Sequence, residues 1–290
     1  MVDMTHTYSS RTHHASAPVS NDAGQTEILD LDAEVLAEST AAIAAWLPLQ
    51  AAPRSVVDLG AGTGAGTFTL LTHFPDAHVT AVDSSIEHLR RLRNKACATG
   101  VLERVDTVAA DLDAPDWPDL GVPDLVWASA SMHHLADPVR ALTKVHDALE
   151  PGGLFAVVEL AGLPRFLPET APTDQPGLEE RCHATTSHFH AEHVPHRGAD
   201  WGPMLTSAGF AIESTRTFTV SIAGSRNPGV GRYALAVLRR LHHRVADTIS
   251  PEDLAALDRL LDTDSEHSIL RRDDLVLRTQ RTVWAARRTN

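Results

Sequence analysis

Asp58, Gly60, Gly62, Gly64 and Gly66 fall within nine residues, directly after the β-branched pair Val56 and Val57. A buried strand that runs into an acid and then into alternating glycines reads as a turn whose backbone must approach something closely. A Cβ at these positions would block both the unusual dihedrals and a ligand's approach, and a helix is expected to begin at about Thr67. Beside the plain reading of a tight turn, the chemistry such a loop could serve is nucleoside binding. Its spacing leaves two forms open. Gly60-Ala61-Gly62-Thr63-Gly64-Ala65 satisfies the G-x-G-x-x-G/A dinucleotide pattern, and Asp58-x-Gly60-x-Gly62-x-Gly64 satisfies a second nucleoside-loop pattern.

Three further groups follow at regular intervals. Asp83 and Ser84 end the next apolar run, where a carboxylate can accept from ribose hydroxyls. Asp111 and Leu112 end the third, where an acid can take an adenine amino group and an apolar neighbour can lie against the ring. Ser129, His133 and His134 follow the fourth. Taken alone, Asp83 or Asp111 reads more plainly as a helix cap or a surface charge; together with the loop they converge on an adenosine-type ligand.

The elements that must position these groups alternate. Strands are expected at 55–59, 78–82, 105–109, 123–128 and 154–159, with helices at 67–73, 86–99 and 139–149 between them, the last opened by Pro138. That rhythm implies right-handed crossovers and a parallel sheet, with ligands at the carboxyl ends of its strands. Residues 1–50 read as a polar tail, loosely attached to about residue 24, followed by one or two amphipathic helices forming a lid. Residues 51–160 form the nucleoside-binding core. Residues 161–200 read as an insertion loop without a convincing strand. Residues 201–290 complete the sheet with a short helix at 201–209 and two long strands, 210–222 and 275–287, as an antiparallel pair. A helical insertion at about 228–265 separates them. Its apolar stripe of Tyr233, Leu235, Val237, Leu238, Leu241, Val245 and Ile249 is expected to pack on the core as a cap or to serve as a homodimer face.

Composition narrows the function classes. A formal charge of −13 without a basic stripe argues against nucleic acid. The 17 histidines outnumber that deficit, so acidification reverses the sign of the surface charge. The two cysteines, Cys97 and Cys182, stand far apart and suit a reducing cytosol, and the first 20 residues lack the apolar stretch of a secretion signal. No apolar run approaches the roughly 18 residues of a membrane span. The chain is therefore expected to be cytoplasmic, with neither nucleic acid nor membrane as a partner.

With these motifs in order, the chain resembles the class I S-adenosylmethionine (SAM)-dependent methyltransferases of small molecules. The likeness is strong over about 54–159 and weaker over 201–288, where Trp201 to Phe210 looks like the helix and turn before that family's sixth strand. The resemblance implies a Rossmann-like, doubly wound α/β sheet of seven strands, mostly parallel, with an antiparallel last strand and helical insertions. It places Gly60, Gly62 and Gly64, with Ala61, under the methionine and ribose of SAM. Asp83 and Ser84 fall at the ribose hydroxyls, Asp111 and Leu112 at the adenine, and Ser129 on the pocket floor near the sulfonium. Asp58 orients the loop or the amino group. The product is S-adenosylhomocysteine and the acceptor a small molecule methylated at O, N or C.

Methyl transfer needs positioning above all, and a base helps when the acceptor carries a proton. His133 and His134 are the candidate catalytic residues, because the loop after the fourth strand faces the transferable methyl in that family. The plainer alternative is that they fix the loop. His183 to His196 holds five histidines which, with Glu192, could bind zinc or iron; a polar acceptor-side segment without metal is the preferred reading. Arg165, Arg197 and Trp201 flank it and could bind an acidic or aromatic acceptor, though each reads more plainly as a surface or packing residue. Two other functions remain open: an NAD-dependent oxidoreductase, and a SAM-binding module without transferase activity.

Overall fold

The computed structural model describes residues 22–289; the expected tail lies, up to residue 21, outside the described residues. Two helices, α1 (Asp22–Val35) and α2 (Ala37–Trp46), lead into β1 (Ser55–Leu59). There follow α3 (Ala65–His73), β2 (His78–Asp83), α4 (Ile86–Ala98), β3 (Val105–Ala109) and β4 (Leu125–Ser129). After these come α5 (Pro138–Ala148), β5 (Leu154–Leu160), α6 (Leu178–His193), α7 (Gly202–Ser207), β6 (Phe210–Ala223), α8 (Gly229–Val245), α9 (Pro251–Leu261) and β7 (Val276–Arg288).

All seven strands form one sheet in the order β3-β2-β1-β4-β5-β7-β6. The first five pair in parallel, as their continuous apolar runs demand: β5 is buried from Leu154 through Glu159 because both faces are covered. β7 runs antiparallel to both β5 and β6. The two late strands do form an antiparallel pair, but β7 inserts between β5 and the edge strand β6. The chain leaves β1 for β2 on one side and returns to β4 on the other, which makes β1/β4 the switch point.

The pleat sends Val56 and Val57 to opposite faces. Val56 packs with Leu70 of α3 and Leu92 of α4, whereas Val57 packs with Leu142 of α5 and Leu205 of α7. A third apolar cluster lies under a helical cap of α1, α6, α8 and α9, and its residues include Leu31, Leu178, Leu238 and Leu257. The stripe of α8 is spent there: Tyr233, Leu238, Leu241 and Val245 are buried within the chain, so these side chains act as a cap rather than as a free dimer face.

One expectation is corrected, and the helical insertion is resolved into its parts. Residues 161–200 are not simply a loop, since α6 occupies 16 of them and stops short of Pro195. Its histidines hide the apolar anchors Leu178 and Cys182, both fully buried, from a periodicity reading. The insertion near 228–265 is two helices, broken where Ser250 caps the Asp253 N–H and Pro251 begins α9.

Three acids on α1 clamp it to three elements. Asp30 pairs with Arg91 and Lys95 of α4, Glu34 with Arg232 of α8, and Asp32 with both Arg281 of β7 and the Tyr233 hydroxyl at 2.6 Å. Arg281 is only 7% exposed, so its carboxylate partner matters more than a surface pair would. Asp32→Ala is expected to cost about 1–3 kcal/mol by leaving a buried guanidinium unpaired. Hydrogen-exchange mass spectrometry should show faster exchange over Asp22–Val35 while the core strands stay protected; unchanged exchange there would remove the clamp from the account.

Candidate nucleoside crevice and adjoining cavity

The expected residues gather along the carboxyl ends of four neighbouring strands. The glycine loop follows β1, Asp83 and Ser84 end β2, Asp111 and Leu112 follow β3, and Ser129 ends β4. Gly60, Gly62 and Gly64 all adopt positive φ, at +70°, +55° and +100°. At two of them the crowding comes from the chain itself. A Cβ on Gly60 would sit 2.3 Å from the Ser131 Cβ, and one on Gly64 would sit 2.6 Å from the Phe68 ring. Glycine is thus demanded by the fold there, in addition to any ligand.

Hydrogen bonds spend the loop's donors internally. The N–H groups of Gly60 and Ala61 donate to the Val82 carbonyl, that of Gly64 to the Ala61 carbonyl, and that of Gly62 to Asp83 Oδ2 at 2.8 Å. Asp83 Oδ1 accepts from the Ser85 N–H at 2.8 Å and faces His88 Nδ1 at 3.3 Å. Burial alone would raise the pKa of Asp83, but the bonds from His88, Ser85 and Gly62 outweigh it and hold the carboxyl below its ordinary value. Oδ2 keeps one lone pair for a hydroxyl.

Asp58 is buried and accepts from the Thr67 hydroxyl at 2.7 Å and from the Thr67 backbone at the start of α3. Gly66 makes room for it, because a Cβ there would lie 2.9 Å from Asp58 Oδ2. The positive end of α3 is therefore already occupied by the protein's own acid. Desolvation pushes Asp58 up to about 7 despite those bonds. Asp111 is exposed and closes a turn by accepting from the Asp113 N–H, and Leu112 is buried beside it. Ser84 is exposed and Ser129 half-buried.

Both candidate histidines sit on a one-turn helix, Met132–His134. His133 is 1% exposed, and its Nδ1 lies 2.5 Å from Glu159 Oε2 while its N–H donates to Oε1. Glu159 fixes the orientation of the His133 ring and leaves Nε2 as the ring nitrogen outside that contact. His134 lies with its ring centroid 4.2 Å from that of His133. Burial, then His133, Arg197 and Arg240, push its pKa down to about 4, so it is neutral at pH 7.

Both line a cavity of about 200 Å³. Its walls are Leu29 and Asp32 of α1, Leu160 at the end of β5, Arg197, and Val237, Arg240 and Arg244 of α8. Ala130, at its junction with the crevice, holds φ at +52°, the one non-glycine with positive φ among the described residues.

Other expectations separate here. Arg197 joins the cavity, but Arg165 pairs with Glu180 at the surface and Trp201 is a fully buried core residue. His183 lines the cavity, whereas the side chains of 187–192, including His188, His190 and Glu192, lie outside the described residues. Among the described residues no three His, Cys, Asp or Glu side chains are placed to hold a metal ion. Sequence reasoning missed Glu159, Arg240, Arg244, Arg281 and the strained Ala130. Glu159 had a signal, as a lone acid in an otherwise apolar buried strand.

Comparison with known proteins now bears on this geometry. Residues 57–155 match the family model of a methyltransferase domain. The trans-aconitate 2-methyltransferase of Methylobacterium radiotolerans is 36% identical over 117 residues, which is 40% of this chain and 42% of that protein. The malonyl-(acyl-carrier protein) O-methyltransferase of Laribacter hongkongensis is 32% identical over 164 residues, 55% of this chain and 52% of that protein. The chain thus spans about half or less of the length of these curated relatives. A solved geranyl diphosphate methyltransferase in complex with SAM superimposes with a TM-score of 0.51 at 15% identity, covering 94% of this chain and 93% of that one. The cyclase SpnF does so with a TM-score of 0.52 at 19% identity, covering 88% and 82%. These two likenesses are of fold. Residues 57–155 of this chain are thus similar to a methyltransferase domain. Among the described residues no helix is long and apolar enough to cross a membrane.

Asp58 makes a prediction with a definite sign. Its pKa in the folded protein lies above its unfolded value, so the folded state binds the extra proton and stability is lost as pH rises from about 4 to about 7. Asp58→Asn removes that dependence. Denaturant unfolding should show the variant gaining on the wild type by roughly 1.4 kcal/mol per pH unit across this window and levelling off above it. A difference independent of pH would contradict the buried-acid reading.

Proposed function

We propose that the chain binds SAM in the crevice and transfers its methyl group to a small-molecule acceptor held in the adjoining cavity. The observation that carries this reading is the charge at the glycine loop. A dinucleotide needs free N–H donors and the positive helix end for its pyrophosphate. Here the N–H groups of Gly60, Ala61, Gly62 and Gly64 are spent, Asp58 caps the helix end and Asp83 stays ionised, so the seat favours a cation such as the amino group of SAM. This disfavours the nicotinamide alternative.

The chemistry SAM supplies when bound is an electrophilic methyl on a sulfonium, which passes to an acceptor lone pair as the S–C electron pair returns to sulfur and leaves S-adenosylhomocysteine. The chain's own residues bind and orient. The free lone pair of Asp83 Oδ2 takes a ribose hydroxyl, with Ser84 beside it. Asp111 and Leu112 receive the adenine, and Gly60 to Gly64 let the backbone lie close. Ser129 and Ala130 form the floor, and Leu29 of α1 excludes water, which favours a step that disperses charge. For an acceptor that carries a proton, Glu159 holds His133 so that Nε2 can accept it. His134, neutral at pH 7, lines the wall. The trans-aconitate relatives, named for a small-molecule acceptor, support the acceptor class.

Calorimetry tests the binding half. S-adenosylhomocysteine should bind and NADH should not, and Asp83→Ala should weaken binding by about 1–3 kcal/mol, the scale of hydrogen bonds to a charged acceptor. NADH binding, or unchanged affinity in the variant, would overturn the assignment. Incubation with methyl-labelled SAM and a panel of small acceptors tests transfer. Labelled product is expected, and intact binding without product from any acceptor would leave a binding module instead.

A further inference from the structure

The cavity beside the crevice carries a concentration of positive charge that methyl transfer as such does not call for. Four of its lining residues are arginines: Arg197, Arg240 and Arg244, and Arg281 from the sheet. Arg240 and Arg244 stand one turn apart on α8, so both reach the same side of the helix. Nε and Nη1 of Arg197, and Nε of Arg281, are buried without a hydrogen-bond partner among the described residues. A buried guanidinium donor left unsatisfied is costly, and chains retain such groups where a ligand completes them.

The described carboxylates nearby are already engaged. Asp32 holds Arg281 and Tyr233, and Glu159 holds His133. Burial and then Arg244 push Arg197 and Arg240 below the ordinary arginine value, with Arg197 also acting on Arg240 and Glu159 offsetting part of the effect on Arg197. Cations gathered this way in a chain of net charge −13 are not a by-product of a basic surface. Between them the wall is hydrocarbon, from Ile28, Leu29, Leu160, Leu163, Val237 and Leu241.

From this arrangement, and resting on the function proposed above, we infer that the acceptor is an amphipathic anion. Its carboxylate or phosphate is gripped by Arg197 together with Arg240 and Arg244, and its apolar body lies along α1 and α8. The planar fork of a guanidinium matches two oxygens of either group, and the two-oxygen geometry, not charge alone, sets the preference. Arg197 and Arg240 are specificity-determining residues in this reading. The histidine turn of His133 and His134 stands on the same wall and brings the bound anion up to the crevice at Ala130.

The test uses the full chain saturated with S-adenosylhomocysteine and three probes of one hydrocarbon length: hexanoate, hexyl phosphate and hexanol, each titrated by NMR. At least one anion should bind tenfold or more tighter than hexanol, and whichever anion leads identifies the head group. Arg197→Gln and Arg240→Gln should each weaken that anion fivefold or more, with affinity for S-adenosylhomocysteine kept within twofold as proof that the fold and the crevice are intact. Hexanol binding as tightly as both anions, no anion binding to protein that holds S-adenosylhomocysteine, or anion binding untouched by both substitutions would each overturn the inference. Loss of S-adenosylhomocysteine binding in the variants would assign these arginines to the cofactor and overturn it too. Failure of the wild type to bind S-adenosylhomocysteine would overturn the proposed function itself, which separates the two.

Discussion

The carboxylate of Asp83 accepts from Gly62 on one side and from Ser85 on the other, and the crevice is built on that bridge. It joins the turn after β1 to the start of α4, adding to the bonds that Gly60 and Ala61 make to the Val82 carbonyl. The parallel pairing of β1 with β2 sets the two turns side by side, and Asp83 then locks the glycine loop in a conformation that only positive φ allows. Asp58 does the corresponding work one layer deeper, tying β1 to the first turn of α3 through Thr67. Both acids give up water to do this. Asp83 is compensated by donors and stays readily ionised, whereas Asp58 is compensated only in part.

Charge is segregated around the loop that follows β4. On one side lie the acids Asp58, Asp83 and Asp111, and on the other the guanidiniums of Arg197, Arg240, Arg244 and Arg281. Ala130 and the His133–His134 turn stand between them. The proposed ligands match this division, a sulfonium and ammonium on the acidic side and an anionic acceptor on the basic side. The helix α1 covers both, with Leu29 within 3.4 Å of where a Gly62 side chain would project and also in the cavity wall. Its ion pairs to α4, α8 and β7 hold that cover in place.

Much of the fold was legible because the governing pattern is local. Apolar runs ending in acids marked β1, β2 and β3, and Pro138 marked the start of α5. The glycine loop and Asp83 were legible for the same reason, since one stretch of chain carries each. What escaped depends on contacts between distant segments. The place of β7 between β5 and β6 follows from pairing across the whole second half of the chain. The helix α6 was obscured by its histidines and a low apolar count. Arg240 and Arg244 lie outside the apolar stripe read from the sequence, and only the approach of α1 and Arg197 turns that face into a cavity wall. Trp201 and Arg165 follow the plainer of their two readings, one as core and the other as a surface ion pair.

The central claim is that an acidic crevice at the switch point of the sheet seats a nucleoside whose reactive end points toward the basic cavity. A crystal structure of the chain with S-adenosylhomocysteine tests it most directly. The account predicts a ribose hydroxyl on Asp83 Oδ2, the adenine beside Asp111 and Leu112, and the sulfur facing Ala130 and the cavity. A nucleoside bound elsewhere, or one whose sulfur turns away from the arginine-lined wall, would contradict it.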